Sequence, residues 1–217
     1  MILLFLSIII PTKNEPYIQS LINQINKILK EKHEIIIVDK SSVIPKLKGA
    51  KVLRQKSDGL GSAVLEGLKE SKGDVIITVD GDGSHRPEDI PKIVEKTKEF
   101  DIVIGSKYVK GGRTEDKFYR ILISKAFCLF ASIVLGLNIK DNMSGFSAIR
   151  REVYDKITLR PKGFKINTEI LYKAKKFGFK ATEVPIVFIK RKEGRSKGNL
   201  KEGFRTIRFI LDLRSGR

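Results

Sequence analysis

The sequence has few of the residues that build metal clusters and covalent cross-links. Among its 217 residues there is one cysteine, Cys128, two histidines, His33 and His85, and no tryptophan. One cysteine excludes an internal disulfide framework and a cysteine-ligated zinc site, and two histidines exclude a histidine-rich metal site. A chain of this length buries about 70% of its unfolded surface and needs no such cross-link.

Acidic residues are scarce relative to basic ones. The chain has 43 Lys and Arg against 25 Asp and Glu, a formal net charge of +18. This excess favours nucleic acid, an acidic membrane surface or a phosphorylated substrate as partner, unless it is only a solvated lysine-rich surface. Nucleic-acid binders interleave aromatic with basic side chains, and the densest basic segment, KRKEGRSKG at 190–198, has no aromatic residue. We therefore expect no nucleic-acid partner.

Long hydrophobic runs are also few. Residues 1–10 lack the basic start and cleavage site of a secretory signal and lead into Pro11, as a buried first strand would. The apolar stretch 121–137 is borderline for the about 20 residues that a bilayer span takes, and Lys125 interrupts it. We expect a protein that is soluble or bound to a membrane surface, with Cys128 as a small buried hydrophobe.

Short apolar runs alternate with amphipathic stretches along the first half of the chain. Strands are predicted at 5–10, 34–38, 51–53, 74–79 and 101–104, and helices at 16–30, 61–71 and 87–98. The second half is predicted to contain helices at 121–137, 167–177 and 200–213 and strands at 146–149 and 181–189. This order predicts one α/β domain with a mostly parallel sheet and helices on both faces, whose ligands bind at the carboxyl ends of the strands.

Two carboxylates follow the predicted strand at 74–79. Asp80 and Asp82 are two residues apart and project to the same side, with Gly81 and Gly83 freeing the backbone. One or two carboxylates together with substrate phosphates typically hold Mg²⁺ or Mn²⁺. The alternative is an ordinary Asp-Gly turn.

Other polar clusters also follow strand ends. IIIPTKNE at 8–15 ends in polar residues, among which Asn14 is a candidate helix cap, and Asp39 ends another strand, where an acid can bind ribose hydroxyls or a base edge. SDGLGSA at 57–63 lacks the dinucleotide fingerprint and the P-loop lysine, which disfavours both folds. Basic residues cluster at 107–113 and 190–197, and such clusters bind phosphate or are merely solvated.

Taken in order, these segments resemble the family 2 glycosyltransferases of GT-A fold, and within them the dolichol-phosphate mannose synthase branch. The matching segments are IIIPTKNE, IVDKSS, GLGSAVLEGL, VDGDGSHRPEDIP, DIVIGSKYVKGG, the RxxxS at 120–124, DNMSGFSAIRREV and PIVFIKRKEGRSK. They span residues 8–197, which is nearly the whole chain.

The resemblance implies an inverting, metal-dependent transfer of mannose from GDP-mannose to dolichyl (polyprenyl) phosphate. Transfer of glucose or another sugar from a UDP-sugar to the same lipid is the alternative. Residues of about 1–110 would hold the nucleotide-sugar and Mg²⁺ or Mn²⁺, and about 111–217 the acceptor and the membrane interface. A polyprenyl phosphate is already anionic, so its oxygen can attack without a general base.

The resemblance also assigns roles to individual residues. The nucleotide-sugar residues would be Pro11, Lys13, Asn14, Glu15, Asp39, Asp80, Gly81 and Asp82, and the metal ligands Asp80, Asp82 and Ser84. The lipid-phosphate residues would be Lys107, Arg113, Arg120, Ser124, Arg191 and Lys197, of which Lys107, Arg191 and Lys197, with Asp82, would be catalytic.

Three positions depart from the pattern of the relatives. Lys40 stands where many relatives carry a second Asp, which weakens any inference about base recognition. Lys107 stands where Arg is usual, and it keeps the charge but loses the bidentate geometry. Ser84 replaces a Gln that is often seen, and its shorter side chain can need a water to reach a metal.

The C-terminal part of the chain favours a membrane surface. Residues 186–217 contain 10 Lys or Arg and 3 Asp or Glu. A basic amphipathic helix beside the apolar stretch 121–137 suits an anionic bilayer, unless both helices simply pack on the sheet. We expect peripheral binding at the cytoplasmic face, with a small membrane subunit as a further candidate partner.

Overall fold

The computed structural model describes residues 4–160, 165–189 and 200–216, and in the last range the side chains from residue 203 onwards. The first half of the chain contains β1 (Leu6–Thr12), α1 (Ile18–Ile28), β2 (His33–Asp39), β3 (Lys51–Arg54), α2 (Leu60–Glu70), β4 (Val75–Thr78), a 3₁₀ turn (Pro87–Asp89), α3 (Ile90–Lys96) and β5 (Ile102–Ser106). The second half contains β6 (Arg113–Thr114), α4 (Phe118–Leu135), β7 (Ser147–Arg150), α5 (Arg151–Lys156), α6 (Ile166–Lys176), β8 (Ala181–Pro185), β9 (Val187–Phe188) and α7 (Leu200–Ser215).

A seven-stranded sheet forms the centre of the molecule, in the order β3-β2-β1-β4-β7-β5-β8. β7 runs antiparallel to β4 and β5, and all other neighbouring strands in this sheet are parallel. β6 and β9 form a separate parallel pair next to the end of β5. The predicted class, a mostly parallel α/β sheet with helices on both faces, is confirmed.

The central strands are buried on both faces, which explains why they are continuous apolar runs. In β1, Ile8 and Ile10 face α1 and α3, whereas Ile9 belongs to the core on the opposite face, where α2, α4, α6 and α7 pack. Cys128 is buried on the inner side of α4, and burial raises the pKa of its thiol to about 11. The prediction that Cys128 is a small buried hydrophobe is confirmed.

Helix α4 buries only a narrow stripe, formed by Cys128, Ala131 and Leu135. Within the described ranges it is the one helix that is long and apolar enough to cross a bilayer, by length and composition alone, and 17% of it is buried. α4 packs against α7, and both helices expose large apolar side chains. We call these side chains the apolar surface: Phe118, Tyr119, Leu122, Ile123, Leu129 and Ile133 of α4, and Phe204, Ile207 and Leu211 of α7.

Candidate functional site

The two carboxylates Asp80 and Asp82 lie in a turn at the carboxyl end of β4. Asp82 is 7% exposed, and its Oδ1 accepts hydrogen bonds from the backbone N–H of Ser84 (3.0 Å) and from the Ser84 hydroxyl (2.5 Å). Gly83 takes a φ of +73°, which a residue with a Cβ adopts only with strain. Ser84 is fully buried and fixes the Asp82 carboxylate, and its hydroxyl oxygen keeps lone pairs that can still act as a ligand.

His85, which follows the carboxylate turn, binds Asp80. Its Nε2 lies 3.2 Å from Asp80 Oδ2, and because a carboxylate only accepts, Nε2 is the donor. The buried imidazole packs 5.0 Å from the ring of Phe146 and 5.2 Å from that of Phe188. Nδ1 has no hydrogen-bond partner among the described residues. The five-residue spacing from Asp80 within one turn was the available signal.

Two glycines let other segments approach this turn. A Cβ on Gly145, just before β7, would lie 2.8 Å from each carboxylate oxygen of Asp80. A Cβ on Gly81 would lie 2.6 Å from the Thr12 methyl carbon at the end of β1. Neither distance can be tolerated without a shift, so a Cβ at position 145 would displace the Asp80 carboxylate and one at position 81 would displace the Thr12 methyl group or the turn itself.

Asp39 ties the ends of β1 and β2 together. The carboxylate is 1% exposed and accepts hydrogen bonds from the Thr12 hydroxyl (2.5 Å), the Ser41 backbone N–H (2.8 Å) and the Ser41 hydroxyl (3.1 Å). The Ser41 hydroxyl in turn accepts the backbone N–H of Asn14 (2.7 Å). Asn14, Glu15 and Asp39 thereby line one open cleft of about 260 Å³.

The prediction that Asn14 caps α1 is wrong. The helix begins at Ile18, and the residue before it, Tyr17, makes no side-chain capping hydrogen bond. Asn14 instead takes the left-handed conformation, with a φ of +54°, which Asn tolerates better than most residues. Its neighbours Lys13 and Glu15 occupy the same loop after β1, and the Lys13 side chain is exposed.

Lys107, at the end of β5, is held in a buried ion pair. Its Nζ lies 3.1 and 3.3 Å from the two carboxylate oxygens of Asp141, and its backbone N–H donates to the same group (3.1 Å). The Lys107 side chain is 12% exposed and that of Asp141 1%. Burial by itself would lower the pKa of Lys107, but the attraction and hydrogen bonds of the Asp141 carboxylate, together with Tyr108, raise that pKa overall, so the ammonium stays charged.

Tyr108 brings Lys107 and Ser124 together. The Lys107 Nζ lies 4.7 Å from the centroid of the Tyr108 ring. Burial raises the pKa of Tyr108, although the Lys107 ammonium and the Ser124 hydroxyl beside it act in the opposite direction. Arg120 lies one turn before Ser124 on the same face of α4, and its side chain is exposed.

The remaining predicted phosphate residues are less closely grouped. Arg113 lies in β6, where its backbone N–H donates to the Ile186 carbonyl (2.9 Å) and its side chain is exposed. Arg191 and Lys197 lie outside the described residues. The described chain before them reaches the site, because the Ile189 N–H donates to the Ser84 carbonyl (3.0 Å) and the Phe188 ring lies 5.3 Å from the Lys107 Nζ.

The turn offers a divalent cation two carboxylates, and a bound substrate would have to supply further ligands. In the described part of the chain no group of three or more His, Cys, Asp or Glu side chains could hold a metal. Asp80 and Asp82 are two carboxylates, the hard ligands that Mg²⁺ and Mn²⁺ prefer. The oxygens of a bound diphosphate would have to complete the coordination.

A comparison of the sequence with models of known protein families found one matching family. The model of the glycosyl transferase family 2 matches residues 7–158. The chain therefore belongs to glycosyl transferase family 2, as its motifs predicted.

The curated relatives are named as enzymes that attach mannose to dolichol phosphate or to another polyprenol lipid. The chain is 43% identical to the dolichol-phosphate mannosyltransferase of Pyrococcus furiosus, over 95% of its own length and 63% of the relative's. It is 35% identical to the polyprenol monophosphomannose synthase of Mycolicibacterium smegmatis, over 69% of its length and 60% of the relative's. The chain thus spans less than two thirds of the length of these relatives.

Solved structures share the fold. Glucosyl-3-phosphoglycerate synthase from Mycobacterium tuberculosis, solved with Mn²⁺, UDP and glucosyl-3-phosphoglycerate, superposes with a TM-score of 0.69 at 20% identity, over 98% of this chain and 80% of that one. The same enzyme solved with Mg²⁺ and UDP gives a TM-score of 0.70 at 18% identity and the same coverage. At these identities the likeness shows the GT-A architecture alone.

Proposed function

We propose that the protein transfers mannose from GDP-mannose to polyprenyl phosphate, dolichyl phosphate in particular. The observation that carries the proposal is a short chain of contacts between two halves of the site. Asp80 binds His85, the His85 ring packs on Phe188, and Phe188 lies against the Lys107 ammonium. The carboxylate turn and the Lys107 end of β5 are thus separated by two side chains, which supports neighbouring positions for a donor diphosphate and an incoming phosphate.

The donor occupies the half of the domain formed by residues of about 1–110. The cleft at Asn14, Glu15 and Asp39 takes the nucleoside, and the loop with Pro11 and Lys13 leads from it towards Gly81. Asp80 and Asp82, with Ser84, would hold Mg²⁺ or Mn²⁺. The cation would supply positive charge to neutralise the leaving diphosphate. Glucosyl-3-phosphoglycerate synthase, which shares the fold, was solved with UDP and Mn²⁺ or Mg²⁺.

The acceptor phosphate enters from the other half, of about 111–217. Its oxygen attacks the anomeric carbon, the bond from that carbon to the diphosphate breaks, and GDP leaves with the electron pair. No proton has to be removed, because the acceptor is already anionic. The cations and hydroxyl that position the two phosphates are Lys107, Arg113, Arg120, Ser124 and, outside the described residues, Arg191 and Lys197.

The apolar surface of α4 and α7 is where the protein meets the bilayer, on its cytoplasmic face. Arg205 and Arg208 of α7 are exposed next to Phe204 and Ile207. Cations beside apolar side chains are typical of helices that lie in the interface of an anionic membrane. The substrate requires this location, because a long polyprenyl chain stays in the bilayer.

The double variant Leu129→Ser, Ile133→Ser is expected to bind vesicles about thirtyfold more weakly, since each exposed apolar side chain contributes on the order of 1 kcal/mol when it enters the membrane. The wild type should bind anionic vesicles less tightly as salt rises, with an apolar part that persists. Vesicle co-sedimentation measures both effects. Phe177→Ser, which removes an exposed apolar side chain elsewhere, is the control. Equal binding by all three proteins would contradict this role of the apolar surface, and no binding by the wild type at low salt would mean that a separate membrane subunit delivers the acceptor.

The function is tested by supplying GDP-mannose, UDP-glucose and UDP-GlcNAc in turn, with a short polyprenyl phosphate and Mn²⁺, and measuring release of the nucleoside diphosphate. We expect acceptor-dependent release of GDP above all. Release of UDP at a higher rate would replace mannose by glucose or another sugar. Release without acceptor dependence would contradict transfer to a lipid phosphate.

A further inference from the structure

Lys125 is the one charged residue of α4 beyond its first turn, and it lies among exposed apolar side chains. A lysine in an apolar surface that faces lipid is unfavourable unless its ammonium reaches water or a partner. The Lys125 ammonium finds such a partner in Tyr108. Its Nζ lies 5.4 Å from the centroid of the Tyr108 ring, in the loop after β5, where it approaches the predicted phosphate residues.

Two ammonium groups therefore share one aromatic ring. Lys107 lies 4.7 Å and Lys125 5.4 Å from the Tyr108 centroid. The charge of Lys107 is balanced by Asp141, with which it forms a buried pair. Lys125 forms no ion pair with any described residue. It therefore adds a net positive charge beside the Lys107–Asp141 pair, which is neutral as a whole. An anion is the natural complement of such a group of charges.

We propose that Lys125 binds the phosphate of the acceptor together with Lys107 and Ser124. The inference rests on the proposed function and adds a residue that the family pattern does not assign. Ser124 precedes Lys125 directly and lies beside the Tyr108 hydroxyl, so the three groups surround one aromatic ring. Leu122 and Leu129 expose apolar side chains within a turn of Lys125 on either side. The isoprenoid lies along this surface, and Lys125 marks the point where its phosphate leaves the apolar region.

Lys125→Gln is expected to weaken the binding of geranyl phosphate about tenfold or more, as loss of a charged hydrogen bond to phosphate does. Titration calorimetry with geranyl phosphate measures this, and geraniol tests whether the phosphate is the group recognised. Lys117→Gln removes an exposed lysine just before the same helix and should leave the affinity unchanged. Lys125→Arg should retain most of the affinity. Unchanged affinity in Lys125→Gln, or no binding of geranyl phosphate by the wild type, would overturn the inference.

Kinetics separate this inference from the function on which it rests. With an active donor, Lys125→Gln should raise the KM for the acceptor about tenfold and leave the KM for the donor unchanged. Transfer with an unchanged acceptor KM would overturn the role of Lys125 and leave the proposed function standing. Binding of geranyl phosphate that depends on Lys125, without transfer from any sugar nucleotide, would support the role of Lys125 and contradict the proposed function.

Discussion

Asp82→Asn is expected to reduce kcat/KM about a hundredfold or more and to leave the melting temperature nearly unchanged. The amide has the shape of the carboxylate, and its oxygen can still accept the two hydrogen bonds from Ser84. It lacks the negative charge that holds a divalent cation, and without the cation the charge on the leaving diphosphate is not neutralised. Removing one such electrostatic contact typically costs about a hundredfold to a thousandfold in rate.

Steady-state kinetics across a titration of Mn²⁺ measure the effect, and Mn²⁺ binding in the presence of GDP provides a readout other than activity. Asp155→Asn, an exposed acid on α5, removes one negative charge far from the proposed chemistry and serves as the control. The wild type should lose activity in excess chelator and regain it with Mg²⁺ or Mn²⁺. Full activity of Asp82→Asn in excess chelator would contradict the metal assignment.

Gly145→Ala is expected to reduce kcat/KM by a similar factor, because the added methyl group would clash with Asp80. The added methyl group would lie 2.8 Å from both carboxylate oxygens of Asp80, which must then move. Asp80 is also bound to His85, so a displacement would break that hydrogen bond or strain the buried imidazole. A misplacement of about 1 Å in a catalytic group can cost a hundredfold in rate, whereas overpacking costs about 1–3 kcal/mol of stability.

Gly178→Ala separates the two consequences of Gly145→Ala. Gly178 has a φ of +79° and nothing within 4 Å of its would-be Cβ, so alanine there is strained but blocks no group. It should destabilise the fold by about 1 kcal/mol and leave kcat/KM unchanged. Thermal unfolding and kinetics of both variants make the comparison. Wild-type kinetics in Gly145→Ala would mean that Asp80 need not stay in place.

The fold was predictable where local patterns decide it. The apolar runs of β1, β2, β4 and β5 predict buried parallel strands because both faces are covered. The direction of β7 was not predictable, because its antiparallel insertion between β4 and β5 depends on a long connection through α4. The predicted strand at 181–189 is divided between β8 in the main sheet and β9 against β6, with Ile186 between them.

The site was predictable where side chains follow strand ends. Asp39, Asp80 and Asp82 do so, and the structure brings them to the same edge of the sheet. Pairs that are distant in sequence could not be predicted, because only packing brings them together. Lys107 and Asp141 are 34 residues apart in the sequence, and Lys125 of α4 contacts Tyr108 in the loop after β5. The functional roles of all the site residues stay predictions, and Arg191 and Lys197 also lie outside the described residues.

NMR of the lipid product tests the central claim most directly. GDP-mannose carries mannose in the α configuration, and a single displacement by the phosphate of dolichyl phosphate must invert it. We expect a β-linked mannosyl phosphodiester of the lipid, formed only when donor, acceptor and Mg²⁺ or Mn²⁺ are all present. An α-linked product, or the absence of any mannosyl lipid under these conditions, would contradict it.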